Sequence, residues 1–180
     1  MATRLAAAKY ARLTAIGDLA AVHPDEVEHA LTTVREHGLT PIVYTARWAL
    51  TSMQYLRRVA LASVTTPGSA ERAVKRGWKV ARTVSAEVFA QAVAAADSIV
   101  RDDGGLVPDR INVTVQTSAG LLIACPAQVS ELQGTPRVSC NDCGLCPAVQ
   151  GMTRRAGIAF AEHGPTPGGK LWAAVKRAWR

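Results

Sequence analysis

All four cysteines of this 180-residue chain fall in one segment, Cys125 to Cys146, which reads CPAQVSELQGTPRVSCNDCGLC. Cysteines used only as small apolar side chains would scatter through a core instead of gathering. Cys140, Cys143 and Cys146 form a C-x-x-C-x-x-C run, a spacing that turns the backbone so that three sulfurs converge. Cys125 adds a fourth from across a stretch of Gly, Pro and polar residues that reads as a loop. Four converging thiolates are the ligand set of one Zn²⁺ or of an iron–sulfur cluster. Structural zinc sites usually pair two short cysteine knuckles, and only one closely spaced group exists here. Three cysteines at short spacing plus a distant one suit a [4Fe–4S] cubane better, because its iron corners are spread wider than a single ion. The same four residues would hold zinc, and disulfides or free thiols are the third reading. Cys125-Pro126 and Cys146-Pro147 carry the proline of ferredoxin-type runs, although Cys-Pro is common. A closed set of four thiolates leaves no open position for a substrate, so the metal is expected to be structural or redox-sensing and the protein non-catalytic.

The hydrophobic fraction of 48% is enough for a real core. No apolar run reaches the ~18 residues of a membrane span, and the first residues lack a secretory pattern. A cytoplasmic chain with no membrane partner is the expectation, and in that setting clustered cysteines favour a metal over disulfides. The net charge of +7 suits an anionic partner such as nucleic acid. Four thiolates around zinc or an oxidised cubane would offset it by about two charges. The basic residues concentrate only in KLWAAVKRAWR, Lys170 to Arg180. This reads as an amphipathic helix that either docks on the sheet or presents a surface to nucleic acid or a protein. A zinc-stabilised nucleic-acid-binding module is therefore one alternative.

The rest of the chain reads as alternating strands and helices. Ala2 to Arg12 is an Ala-rich helix or arm, Leu13 to Ile16 a strand, and Pro24 to His37 a helix with acids at its start and Gly38 at its end. Strands follow at Pro41–Tyr44, Val59–Val64 and Trp78–Ala81. Helices follow at Ala49–Arg58 (Leu50, Met53 and Leu56 inward), Pro67–Arg76 and, capped by Ser85, onward past Phe89 and Val93. Ile111–Thr117 alternates as a strand, Leu121–Ala124 delivers Cys125, and Ile158–Ala161 is a last strand. Such alternation with short connections demands parallel strands and right-handed crossovers. The fold class is α/β, either a partial (βα) barrel or an open parallel sheet, with a C-terminal four-cysteine metal-binding loop. Residues 1–117 would be the βα-repeat domain, 118–164 the cysteine segment packed on it, and 165–180 a linker and the basic helix.

In such sheets function gathers where strands end at their carboxyl termini. Asp18, Arg47 and Arg82 follow strand ends and are the candidate pocket for the third reading, an enzyme acting on a small anionic substrate. His163 lies near the cysteines but is not needed as a ligand, and His23, His29 and His37 look structural. Phosphate-loop, H-E-x-x-H, G-x-S-x-G and zinc-deaminase motifs are absent.

The blocks RLTAIGD (Arg12 to Asp18), PIVYT (Pro41 to Thr45), CP…CNDCGLC (Cys125 to Cys146) and IAFAEHG (Ile158 to Gly164) resemble the "gene product eighty-eight" type of phage and plasmid protein. Fuller members carry a further N-terminal cysteine segment with no counterpart here. The resemblance implies a partial barrel akin to radical-enzyme folds, bearing metal-binding cysteines and coming from a mobile element. It supplies no activity.

Overall fold

The computed structural model describes residues 8–13, 18–102, 113–134 and 138–162. Among them run seven strands: β1 Tyr10–Arg12, β2 Thr40–Thr45, β3 Ala60–Val64, β4 Val80–Val84, β5 Thr114–Thr117, β6 Gly120–Ala124 and β7 Gly157–Ala161. The helices are α1 Pro24–Glu36, α2 Pro67–Lys75, α3 Ala86–Asp102, α4 Pro126–Gln133, and the single turns α5 Cys140–Cys143 and α6 Leu145–Ala148. The strands form one open sheet in the order β1-β2-β3-β4-β7-β6-β5. All pairings are parallel except the β5–β6 hairpin. An open α/β sheet is thus the architecture, and β1 and β5 are its edges rather than partners in a barrel. Residues on both sides of residue 117 share the sheet.

The connections decide which face each helix covers. From β1 to β4 the chain steps one way across the sheet, and α1, α2 and α3 pack on one face. Their Val27, Leu31, Ala70, Ala73, Phe89 and Val93 join Val43, Ala62, Val80 and Ala159 of the strands in the main core. After the β5–β6 hairpin the chain turns back and inserts β7 beside β4. A right-handed crossover that runs backwards must arrive over the other face. That is where Leu145 and Val149 lie, against Leu61, Ala81, Ile123 and Ile158. The cysteine segment is this return crossover: α4 packs Val129 and Leu132 into the main core, and the turns after it pass over the other face.

Several elements differ from the expectation, each for a local reason. The first strand is Tyr10–Arg12 rather than Leu13–Ile16. It pairs Tyr10 with Thr40 and Arg12 with Ile42, so edge pairing overrides the Ala-rich helix reading there; residues 14–17 lie outside the described residues. Residues Thr51–Arg58 form a 3-10 helix. Its buried Met53 and Leu56 are three apart, the spacing that three residues per turn put on one side, whereas Leu50 is exposed at 46%. Trp78 does not begin a strand: its N–H still caps α2 by donating to the Ala73 carbonyl, and β4 starts two residues later. The stretch after Cys125 is helix α4, not loop, with Pro126 at its first position and Gly134 (φ 64°) closing it, the punctuation helices use at each end. Thr114–Thr117 is an antiparallel edge strand, as its polar alternate positions suit. His163, the linker and the basic C-terminal helix expected over Lys170–Arg180 lie outside the described residues. Among the described residues no helix is long and apolar enough to cross a membrane.

The tightest joint is at Gly157, where a Cβ would collide with the backbone of Val80. Gly157→Ala is expected to cost more than about 2 kcal/mol, because main chain has no room to yield. Gly151, whose Cβ would meet nothing within 4 Å, supplies the control: Gly151→Ala should leave the urea midpoint nearly unchanged.

Candidate metal centre

Cys125 stands where β6 ends and α4 begins, with backbone φ −60° and ψ 117°. Its N–H donates to the Ala159 carbonyl at 2.9 Å, which extends the sheet by one residue and pins the thiol over β7. Buried Gln128, one turn into α4, accepts from the Ala161 N–H at 2.9 Å. A helix that would otherwise only touch the sheet is thereby tied to the end of β7, and Cys125 with it.

The other three thiols come from two successive single turns. Gly144 separates them at φ +58°, in the left-handed region that glycine enters without cost. A side chain there is excluded twice over, since a Cβ would also run into the Tyr10 hydroxyl. The Lys9 N–H donates to the Asn141 side-chain oxygen at 2.6 Å. Edge strand β1 is thus fastened to the cysteine turns through two non-cysteine residues, Asn141 and Gly144, of the C-N-D-C-G run. On the far side Gln150 donates to the Ala60 carbonyl at 2.7 Å, and Lys79 donates to the carbonyls of Met152 and Arg155. The crossover is held at both ends.

All four thiols line one cavity of about 80 Å³, walled by Ile42, Leu145, Ile158 and Phe160 among others. None is in a disulfide, and Cys140 is the exposed one. No three His, Cys, Asp or Glu donors among the described residues are drawn together tightly enough to hold a single ion. Tyr44 donates its hydroxyl to Cys146 Sγ at 3.0 Å. Its ring lies edge-on to Phe160, with centroids 6.3 Å apart, and the Arg12 guanidinium stands 5.1 Å over it. Burial pushes the Cys125 and Cys143 thiols up and raises Cys146 to about 11, against the stabilising hydrogen bond from Tyr44. Nearby thiols add to the rise at each, since neighbouring thiolates would repel. Burial and then Cys146 also raise Tyr44. The donor set, the apolar walls and the adjacent cation fit an anionic metal–thiolate group.

A second, larger cleft of about 780 Å³ opens beside this cavity and shares Arg12, Tyr44, Cys125, Cys140 and Phe160 with it. Of the three residues expected to form a pocket, Asp18 lines the cleft while Arg47 and Arg82 are not among its lining residues. The Asp18 carboxylate accepts from the Thr45 hydroxyl at 2.8 Å and from the Ala46 N–H at 2.6 Å, so it orders the turn after β2. Arg47 is exposed on that turn. Arg82 lies inside β4, on the face of Val80 and Val84, because the strand runs three residues further than expected. Its Nε and Nη1 are buried without a hydrogen-bond partner among the described residues. Arg12, which sequence reasoning passed over, is the cation that the structure brings to both cavities.

In metal-free protein at neutral pH, iodoacetamide should modify Cys140 first and Cys146 last, as peptide mass spectrometry would read. The raised thiols also set a pH window. A thiol whose folded pKa exceeds its unfolded value of 9.0 contributes stability that is complete below pH 9 and lost as pH rises through about 11 for Cys146. The melting temperature of the metal-free protein should therefore fall across that interval, and less so in Cys146→Ala.

The chain matches no family model, no curated protein and no solved structure.

Proposed function

We propose that this is a metalloprotein in which Cys125, Cys140, Cys143 and Cys146 hold one [4Fe–4S] cluster, in a structural or redox-sensing role. One observation carries the reading: thiols from two separate segments, the end of β6 and the α5–α6 turns, line the same small cavity. Three cysteines at two-residue spacing plus one distant cysteine suit a cluster, whose irons are spread wider than a single zinc ion. When bound, the group supplies one-electron chemistry and a net negative charge. The chain's own residues meet that charge. Arg12, held over the Tyr44 ring, supplies a cation at the cavity wall, and the Tyr44 hydroxyl donates to a ligand sulfur. Hydrogen bonds to ligand sulfurs and compensating charge are the levers by which a protein sets cluster potential.

Loading must displace protons, because burial favours the neutral thiols. Metal uptake is therefore expected to release protons at neutral pH and to weaken as pH falls.

The deciding experiment is anaerobic reconstitution of the full chain with iron and sulfide, followed by elemental analysis. The expected product is brown, with a broad band near about 400 nm and iron and sulfide in equal amounts. Cys125→Ser, Cys143→Ser or Cys146→Ser should each abolish the band. A protein that instead takes one colourless zinc, with the same substitutions abolishing it, would replace the cluster by zinc. Retention of neither metal would end the reading.

A further inference from the structure

We propose that the cleft beside the cysteine cavity is a small-molecule site, with Arg12 as its anion-binding residue, taking a small monocarboxylate with hydroxyl or amine donors at its other end. The inference goes beyond the cluster reading and does not need it.

The floor of the cleft departs from what a covered parallel sheet requires. Strands buried on both faces read as continuous apolar runs. On the cysteine side of β3 and β4 this holds only under the crossover, where Leu61 and Ala81 are buried. One step further along each strand come Ser63, which is exposed, and Thr83, which is half-buried, and both line the cleft. Neither hydroxyl has a hydrogen-bond partner among the described residues. Small side chains at Ala46, Ala81 and Ala161 keep the volume open, and about 780 Å³ falls within the range of ligand pockets. The position is also the one expected of an α/β sheet. Strand carboxyl ends meet there beside the point where the connections after β4 and after β6 depart toward different parts of the sheet, and ligands bind in such crevices.

The wall charges select the ligand. The exposed Arg12 stands with its guanidinium carbon 5.1 Å over the Tyr44 ring, and among the described residues it has no ion pair. A guanidinium suits a carboxylate. Asp18 and Glu162 line the same cleft and disfavour di- and triphosphates by repulsion, and Glu162 offers acceptors to an amine or hydroxyl. Ser63 and Thr83 complete a polar floor between the two ends.

The test uses the full chain in metal-loaded and metal-free forms, titrated with glycolate, L-serine and inorganic phosphate and followed by protein-detected NMR. Glycolate or L-serine is expected to give saturable shifts at the cleft residues, whichever is tighter identifying the donor at the far end; phosphate is expected to give none. Arg12→Gln should weaken that binding about tenfold, as loss of a charged hydrogen bond does. Ser63→Phe, a change at an exposed position, should fill the floor and abolish binding with the melting temperature kept. The proposal is overturned if neither carboxylate saturates, if phosphate binds as well, or if Arg12→Gln binds like the unaltered protein. Because the metal-free form is titrated too, failure to assemble a cluster leaves this result readable on its own.

Discussion

The insertion of Gly157–Ala161 between β4 and β6 governs the rest of the molecule. Main chain approaches main chain there so closely that residue 157 has no space for a side chain. Once β7 occupies that slot, the chain must come back across the sheet against the direction in which β1 to β4 were laid down. Handedness then sends the return segment over the face the long helices do not cover. The cysteines lie in that segment for a topological reason, since no other part of the described chain passes over that face.

The same constraint explains why one face is thickly covered and the other thinly. Helical segments that include α1, α2, α3 and α4 bury the first face with Leu31, Ala73, Phe89 and Val129. Among the described residues the second is covered by two single turns and the 3-10 segment Val149–Gly151, contributing Leu145 and Val149. Of the described cover, this much shields the middle of β3, β4 and β7 and stops short of their carboxyl ends. The cysteine cavity and the cleft are two consequences of one undersized layer. Tyr44 and Phe160, large and half-buried, are the partition between them.

Periodicity made most of the sheet legible. Val59–Val64 and Ile158–Ala161 were placed within a residue because apolar runs bounded by turn residues admit few alternatives. The helix at Pro24 announced itself through its proline, its acids and Gly38. What periodicity does not carry is register and partner. Nothing local in YAR reveals that Tyr10 faces Gly144 across more than a hundred residues, so an edge strand read as a helical arm. Trp78 read as strand because its apolar character is real, while its N–H was already engaged by α2. The helix after Cys125 carries its own punctuation in Pro126 and Gly134, while its Gly, Pro and polar content also matches a loop. For the site, the sequence puts the four cysteines in one segment, and the fold has all four line one cavity. The pocket was not legible: strand ends shifted by three residues at β4 carried Arg82 into the wrong face, and Arg12 could be recognised only once β1 was known to run beside β2.

Arg12 joins the two parts of this surface. A group of buried thiols that titrate high resists ionising alone, and each thiolate formed makes the next harder. A fixed cation at the wall lowers that cost, yet an arginine placed only for this purpose would be expected to point its donors at the sulfurs. Here the guanidinium stacks on the ring whose hydroxyl already contacts Cys146. Its influence on the sulfurs is carried partly through Tyr44, and it lines the cleft as well as the cysteine cavity. An anion seated there would compete with the thiolates for the same positive charge. Were the cysteines to hold an anionic group, occupancy of the cleft and the electronic state of that group would be coupled by electrostatics through this shared cation.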